Sequence, residues 1–212
     1  MAIQITPQVP AFTVAATWQH ALPALFGERV VLRQLRPSDA AALLRTVSAP
    51  DVSRFISAPP PDVAAFERFI TRSQSQQAAG TLAVFTLTLK GHDTPIGLFQ
   101  LRALEPSFRT AEWGFAIGST FWGTGLFEEA AELVLAFAFD TVGVHRLEAR
   151  AAAKNGRGNR ALQKLGAVAE GVLRQAFLCG GEYLDQVVYG LVAGDWRRSR
   201  RLGRTSRLHL VH

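Results

Sequence analysis

Apolar residues along the chain switch between a two-residue and a helical period, and the switches mark the elements. Gly27 to Arg33 reads as a first strand, and Pro37-Ser38-Asp39 supplies turn and cap residues for a helix from Ala40 to Val47. Asp51 to Ile56 either extends that helix or begins a short second one. After the stiff Pro59-Pro60-Pro61 break, Val63, Phe66, Phe69 and Ile70 recur at helical spacing to about Gln77. Three strands follow: Leu82 to Leu89, Ile96 to Leu104 and Ala111 to Ile117, with Gly91-His92-Asp93 and Glu105 to Arg109 as the turns. In the third strand Trp113, Phe115 and Ile117 share one face, and Glu112, Gly114 and Ala116 the other. Leu126, Ala130, Leu133, Val134 and Phe137 predict a helix to about Val142, then Arg146 to Ala152 a strand. A polar loop, Lys154 to Asn159, leads to a short helix, Arg160 to Leu165, stopped by Gly166. Val168 to Cys179 and Tyr183 to Val192 form a closing hairpin turned at Gly180-Gly181. About seven strands and four helices in this order predict a mixed α/β fold (α+β mixed sheet). The helix between Ile117 and Arg146 should place its two flanking strands parallel.

The densest chemical signal lies between that third strand and the helix, in Trp122-Gly123-Thr124-Gly125-Leu126-Phe127. Two glycines let a ligand approach the backbone, and the first turn of a helix has unpartnered N–H groups and the positive end of the dipole. Such a turn suits a phosphate or pyrophosphate. It is not a Walker A loop, because no Lys follows the glycines, nor a dinucleotide fingerprint, because Glu128 stands where the third Gly is needed. Read by itself, a bare strand-to-helix turn explains it equally well.

Composition narrows the setting. The 212 residues suggest one domain with tails, and 48% hydrophobic residues are ample for a core. One cysteine, Cys179, excludes an internal disulfide and fits a reducing compartment. His20 and His145 lack metal-ligand spacing, so no metal is expected. The first basic residue is Arg29, and prolines interrupt the early apolar residues, so a soluble cytoplasmic protein without membrane contact is expected. The net charge of +6 equals the six arginines of residues 197–212, which hold no acid. We therefore divide the chain into an arm (1–26), a domain (27–196) and an arginine-rich tail (197–212). That tail reads either as a solvated, flexible segment or as a salt-sensitive ribosome or RNA contact.

The glycine loop resembles, in register, the Gln/Arg-x-x-Gly-x-Gly/Ala pyrophosphate loop of the GNAT superfamily of acyl-CoA N-acyltransferases. Gly123 and Gly125 match, Trp122 replaces Gln or Arg, and Phe127 replaces a small residue, either crowding the loop or turning into the core. The tryptophan resembles the branch that acetylates ribosomal-protein N-termini. A second stretch, Asn155-x-x-Gly158 through Lys164-Leu165-Gly166-Ala167, is similar to the family's Asn-x-x-Ser…Lys-x-Gly-Phe, with Gly158 for Ser and Ala167 for Phe.

The resemblance implies the GNAT fold, with the strands on either side of the central helix splayed around acetyl-CoA. It implies cofactor contacts at Phe115, Ala116 and Ile117, at Trp122 to Phe127 (Trp122, Gly123, Thr124, Gly125, Leu126, Phe127), and at Asn155, Gly158, Asn159 and Arg160. Arg160 suits the 3′-phosphate. It also implies a primary amine acceptor, either a protein N-terminal α-amine or a small antibiotic-like or polyamine-like molecule. The family's acid tyrosine falls on Gln163 and its serine on Gly158, so neither carries over, and an acyl-CoA-binding protein without catalysis is the rival reading. Glu112 is the candidate base by strand parity. Acceptor choice is expected to lie in residues 38–80 and the 180–182 turn, and the chain is expected to act as a monomer or homodimer.

Overall fold

A computed structural model describes residues 17–208, with side chains described for residues 18–200. Eight strands form one sheet in the order β1-β2-β3-β4-β5-β6-β8-β7. They are β1 (Leu25–Phe26), β2 (Val30–Gln34), β3 (Leu82–Leu89), β4 (Pro95–Ala103), β5 (Thr110–Ile117), β6 (Arg146–Ala152), β7 (Val168–Cys179) and β8 (Glu182–Val192). The helices are α1 (Thr17–His20), α2 (Ala40–Ser48), α3 (Pro50–Ser53), α4 (Val63–Ala78), α5 (Leu126–Ala136), α6 (Gly156–Lys164) and α7 (Ala193–Leu208). A π-helical turn, Phe137–Val142, continues α5 and ends at Gly143, whose φ is 82°. The mixed α/β architecture matches expectation, with one more strand and three more helices among the described residues. Of these, α3 is the short second helix allowed for at Asp51, while β1 and α1 are too short to show a period.

Two corrections concern longer segments. Helix α6 begins at Gly156, inside the expected loop, because Asn155 caps it: its Oδ1 accepts from the Gly158 N–H at 2.9 Å. Gly156 and Gly158 conceal that start, since glycine is about 1 kcal/mol poorer than alanine in a helix. Helix α7 runs into the arginine tail. Arg197 and Arg200 pair with Asp140 on the π-helical turn, and the Arg200 guanidinium lies 4.7 Å from the Trp196 ring.

Each sheet face has its own core. Trp113 and Ile117 face α5, whose Ala130, Ala131 and Val134 are buried with them. Trp18 and Trp196 are buried in the same core, and Phe139 packs 5.1 Å from the Trp196 ring. On the other face Ala116 joins Leu43 and Val47 of α2 and Phe66 and Ile70 of α4. Gly97 of β4 is required there, since a Cβ would stand 2.5 Å from the Ala116 carbonyl.

One ion pair is buried beside this second core. Arg33 offers two guanidinium nitrogens to Asp39 at 2.8 Å each, and a third to Asp93 at 2.7 Å. Burial works against the Asp39 anion. The Arg33 guanidinium, the Arg36 N–H and the Thr86 hydroxyl outweigh it and hold the carboxyl below the usual carboxylate range. A lowered folded-state pKa stabilises the protein fully above the unfolded value near ~3.9, and that share is lost as pH falls through the folded value. Asp39→Asn should therefore cost about 3 kcal/mol at pH 7, as the buried Arg33 keeps only Asp93. Urea unfolding checks it: the gap between wild type and variant should shrink as pH is lowered from 5 towards 2. A constant gap would mean that packing, not charge, holds the site.

Candidate active site

The site grows from a break in the sheet. Strands β5 and β6 run parallel, as expected, but pair only at Thr110–Arg146, Ala111–Leu147 and Glu112–Glu148. Beyond Glu112, β5 keeps β4 as its partner to Ile117, and β6 keeps β8 to Ala152. The facing edges of β5 and β6 diverge with no strand between them, leaving backbone donors and acceptors for an extended ligand.

The glycine loop closes the far end of β5. Gly123 and Gly125 have φ of 75° and 81°, a region L side chains rarely adopt. Gly125 is the N-cap of α5 and supplies no side-chain cap. A Cβ on Gly123 would meet nothing within 4 Å, so the loop is open on that side. Thr124 tightens the turn by donating its hydroxyl to the Phe121 carbonyl at 2.6 Å.

Arg29 holds the loop from β2's side: it donates to the Thr124 carbonyl at 3.0 Å and pairs with Glu129 at 3.0 Å. Burial opposes ionisation of Glu129, but the main-chain N–H and guanidinium of Arg29 more than offset it, keeping its pKa below the ordinary range. Glu128, the other first-turn acid, lies 3.6 Å from Lys164 of α6. Both carboxylates at this helix end are thus matched by cations, and the helix terminus keeps its affinity for an added anion.

Trp122 donates its indole N–H to the Ile117 carbonyl at 3.0 Å. Its ring carries the Arg157 guanidinium at 3.8 Å, a cation–π contact between loop and α6 across the diverging strands. Phe127 turns into the core, stacked 5.9 Å from Phe99 and 4.5 Å from Phe115, and Leu126 is buried. These two residues therefore offer backbone, not side chains, to the loop.

On the β6 side, Asn155 caps α6 and lines the cleft. A Cβ at Gly158 would stand 2.6 Å from the Asn155 amide nitrogen, so a serine there is incompatible with this Asn155 position. The Asn159 side chain is engaged within the protein: its amide donates to the Asn155 and Ala152 carbonyls at 2.7 and 3.0 Å and accepts from Tyr189 at 2.9 Å. Arg160 is exposed on α6, with no ion pair among the described residues.

A cavity of about 560 Å³ adjoins the break and brings together Glu112, Phe115, Ala116, Asn155 and Gly158. Glu112 pairs with Arg102 of β4 and lies 3.8 Å from Arg150 of β6. The other wall is apolar: Phe55, Ile56, Pro60, Phe66, Phe69 and Phe177. Residues 47–69 thus supply much of the lining, whereas the 180–182 turn contributes nothing to it. Arg29, Arg150 and Arg157 escaped the sequence reading because each is far in sequence from its partner, and Arg102 because it meets Glu112 only across the β4–β5 register; only Arg157, inside the Asn155–Gly158 stretch, stood within a motif. Cys179 donates to the Arg54 carbonyl at 2.8 Å and has no catalytic partner among the described residues. No group of metal-ligating side chains and no membrane-crossing helix occurs among them either.

The α5 terminus, its two left-handed glycines and the open strand edges fit a pyrophosphate with an extended arm, as acyl-CoA carries. Residues 29–168 match the family model described as acetyltransferase (GNAT) domain. The chain is 30% identical to the uncharacterized N-acetyltransferase YoaA of Bacillus subtilis, over 80% of this chain and 97% of that protein. It is 31% identical to the ribosomal protein uS5-alanine N-acetyltransferase of Escherichia coli, over 44% of this chain and 48% of that one. Its fold superposes on Mycobacterium smegmatis RimJ in complex with CoA-disulfide with a TM-score of 0.75, covering 86% and 95% of the two chains at 22% identity. Motif, sheet break and family match converge: the chain belongs to the GNAT family and is an acyl-CoA-dependent N-acetyltransferase.

Proposed function

We propose that this enzyme moves the acetyl group of acetyl-CoA to a primary α-amine, with the pyrophosphate at Gly123–Gly125, the pantetheine along β5 and the acceptor in the cavity at Glu112. One observation carries the reading: the strand break ends at Glu112, and the same cavity reaches from Glu112 to Asn155. From Glu112 to Ile117 is five residues of strand, about 17 Å. That length separates the reacting end from the phosphate end. Bound acetyl-CoA would supply the thioester. The neutral amine of the acceptor attacks its carbonyl carbon, the C–S bond breaks, and the CoA thiolate leaves. Glu112 takes the amine proton directly or through one water. A thiol of pKa ~8.5 is a fair leaving group near neutral pH, so no protein acid is required. The ribosomal-protein acetyltransferase among the relatives supports a protein N-terminus as acceptor.

Calorimetry with acetyl-CoA and release of free thiol across a panel of peptides and small amines test this. Binding with acceptor-dependent thiol release is expected. Binding with no release from any acceptor would leave an acyl-CoA-binding protein.

Arg157 extends the site. Its guanidinium rests beside the loop, on the residue that replaces the family's Gln or Arg, and so restores a donor for phosphate there. Arg157→Ala should raise KM for acetyl-CoA about tenfold with kcat nearly unchanged, since a hydrogen bond to a charged group contributes ~1.5–3 kcal/mol. An unchanged KM would assign Arg157 to wall packing only.

A further inference from the structure

The charges around Glu112 name a class of acceptor. Among the side chains lining the cavity, the ionised ones are Arg102, Arg150 and Glu112, so the lining holds one positive charge in excess. Arg102 faces Glu112 in register on β4, and Arg150 lies two residues beyond Glu148, the β6 partner of Glu112. The two guanidiniums thus flank the carboxylate from opposite sides. Each has further N–H donors, and neither meets another carboxylate within ion-pair distance among the described residues. Both are partly exposed, at 56% and 41% of the side chain. They meet Glu112 near the start of β5, about 17 Å along the strand from Ile117, after which the glycine loop follows, too far to serve a pyrophosphate there.

An acceptor reaches this place as an ammonium. A simple amine brings a positive charge to a lining already positive, and a polyamine brings several, so both are disfavoured. An acceptor carrying its own carboxylate next to the amine arrives neutral overall. Its carboxylate can take the planar donors of Arg102 or Arg150 in a forked pair, while its ammonium meets Glu112. The opposite wall, with Phe55, Phe66, Phe69 and Phe177, accommodates an apolar body.

We infer that the acceptor is a zwitterion, an α-amino acid or close analogue with an apolar side chain, read by Arg102 and Arg150 on either side of Glu112. The inference rests on the acetyl-transfer reading above. In the step, the ammonium passes one proton to Glu112, the freed amine nitrogen bonds to the acetyl carbon as the C–S bond breaks, its second proton goes through water to the departing CoA thiolate, and the acceptor carboxylate is unchanged.

The test compares three acceptors with one body: phenylalanine, phenylalaninamide and phenethylamine. Thiol release gives kcat/KM for wild type, Arg102→Gln and Arg150→Gln, and calorimetry gives acetyl-CoA affinity for each. The amine pKa differs among the three compounds, but that difference cancels when the acid-to-amide ratio of a variant is divided by that of wild type. The ratio should fall at least tenfold in one or both variants, with acetyl-CoA affinity kept. An equal ratio in all three enzymes, or a polyamine outpacing phenylalanine in wild type, overturns the assignment. So does thiol release with none of the three compounds. Loss of acetyl-CoA binding by wild type would instead bring down the cofactor reading itself.

Discussion

Replacing Gly125 by aspartate should abolish measurable acetyl-CoA binding. Gly125 is the N-cap of α5 at φ 81° with no side-chain cap, and the first turn of a helix is suited to an anion. A carboxylate there opposes the pyrophosphate. Two unit charges about 4 Å apart at an effective dielectric near 20 interact by about 4 kcal/mol, or about a thousandfold in affinity. The new side chain also crowds the cation that braces the loop, because a Cβ at 125 would stand 3.1 Å from an Arg29 guanidinium nitrogen. Backbone strain is a separate contribution, and Gly125→Ala isolates it: left-handed strain without charge, about 1 kcal/mol or slightly more. Calorimetry should rank wild type, alanine and aspartate in that order, the step to aspartate being the larger. Equal affinity of the aspartate variant and wild type would remove the loop from the cofactor site.

Glu112→Gln should lower turnover about 10²–10⁴-fold, the range for a positioned base, with acetyl-CoA affinity close to normal. The two effects separate because Glu112 sits about 17 Å of strand away from Ile117, beyond which the glycine loop follows. An ammonium must lose a proton before it can attack. At pH 7 roughly a tenth of an α-amine of pKa ~7.7–8.0 is neutral, against about one part in a few thousand of a lysine-like amine. Activity of the variant should therefore recover in part at high pH, where the acceptor deprotonates in solution. Glutamine keeps size and hydrogen bonding but leaves Arg102 and Arg150 without their anion, so a melting curve must accompany the kinetics. Turnover within twofold of wild type on the true acceptor would exclude Glu112 as base and leave positioning as the main catalytic device.

Much of this enzyme is set by local pattern. The alternation at Trp113, Phe115 and Ile117 defines two strand faces, and the helical spacing after Gly125 defines an amphipathic α5; both follow from side-chain geometry alone. The glycine pair marks a sharp turn ahead of α5 because few other residues tolerate its backbone angles. The parallel β5–β6 pair follows from the intervening helix. Other features depend on contacts between residues distant in sequence. The pairing of β5 and β6 stops after Glu112, and nothing local to either strand says where it must end. Arg102 and Arg150 reach Glu112 from neighbouring strands, and Arg29 reaches Thr124 and Glu129 across about a hundred residues. Phe127 could have crowded the loop; packing against Phe99 and Phe115 decided that it fills the core. Period and turn chemistry act over a few residues and can be read along the chain. Charge pairing and packing act through space, so only the folded structure could show which arginines surround the Glu112 carboxylate.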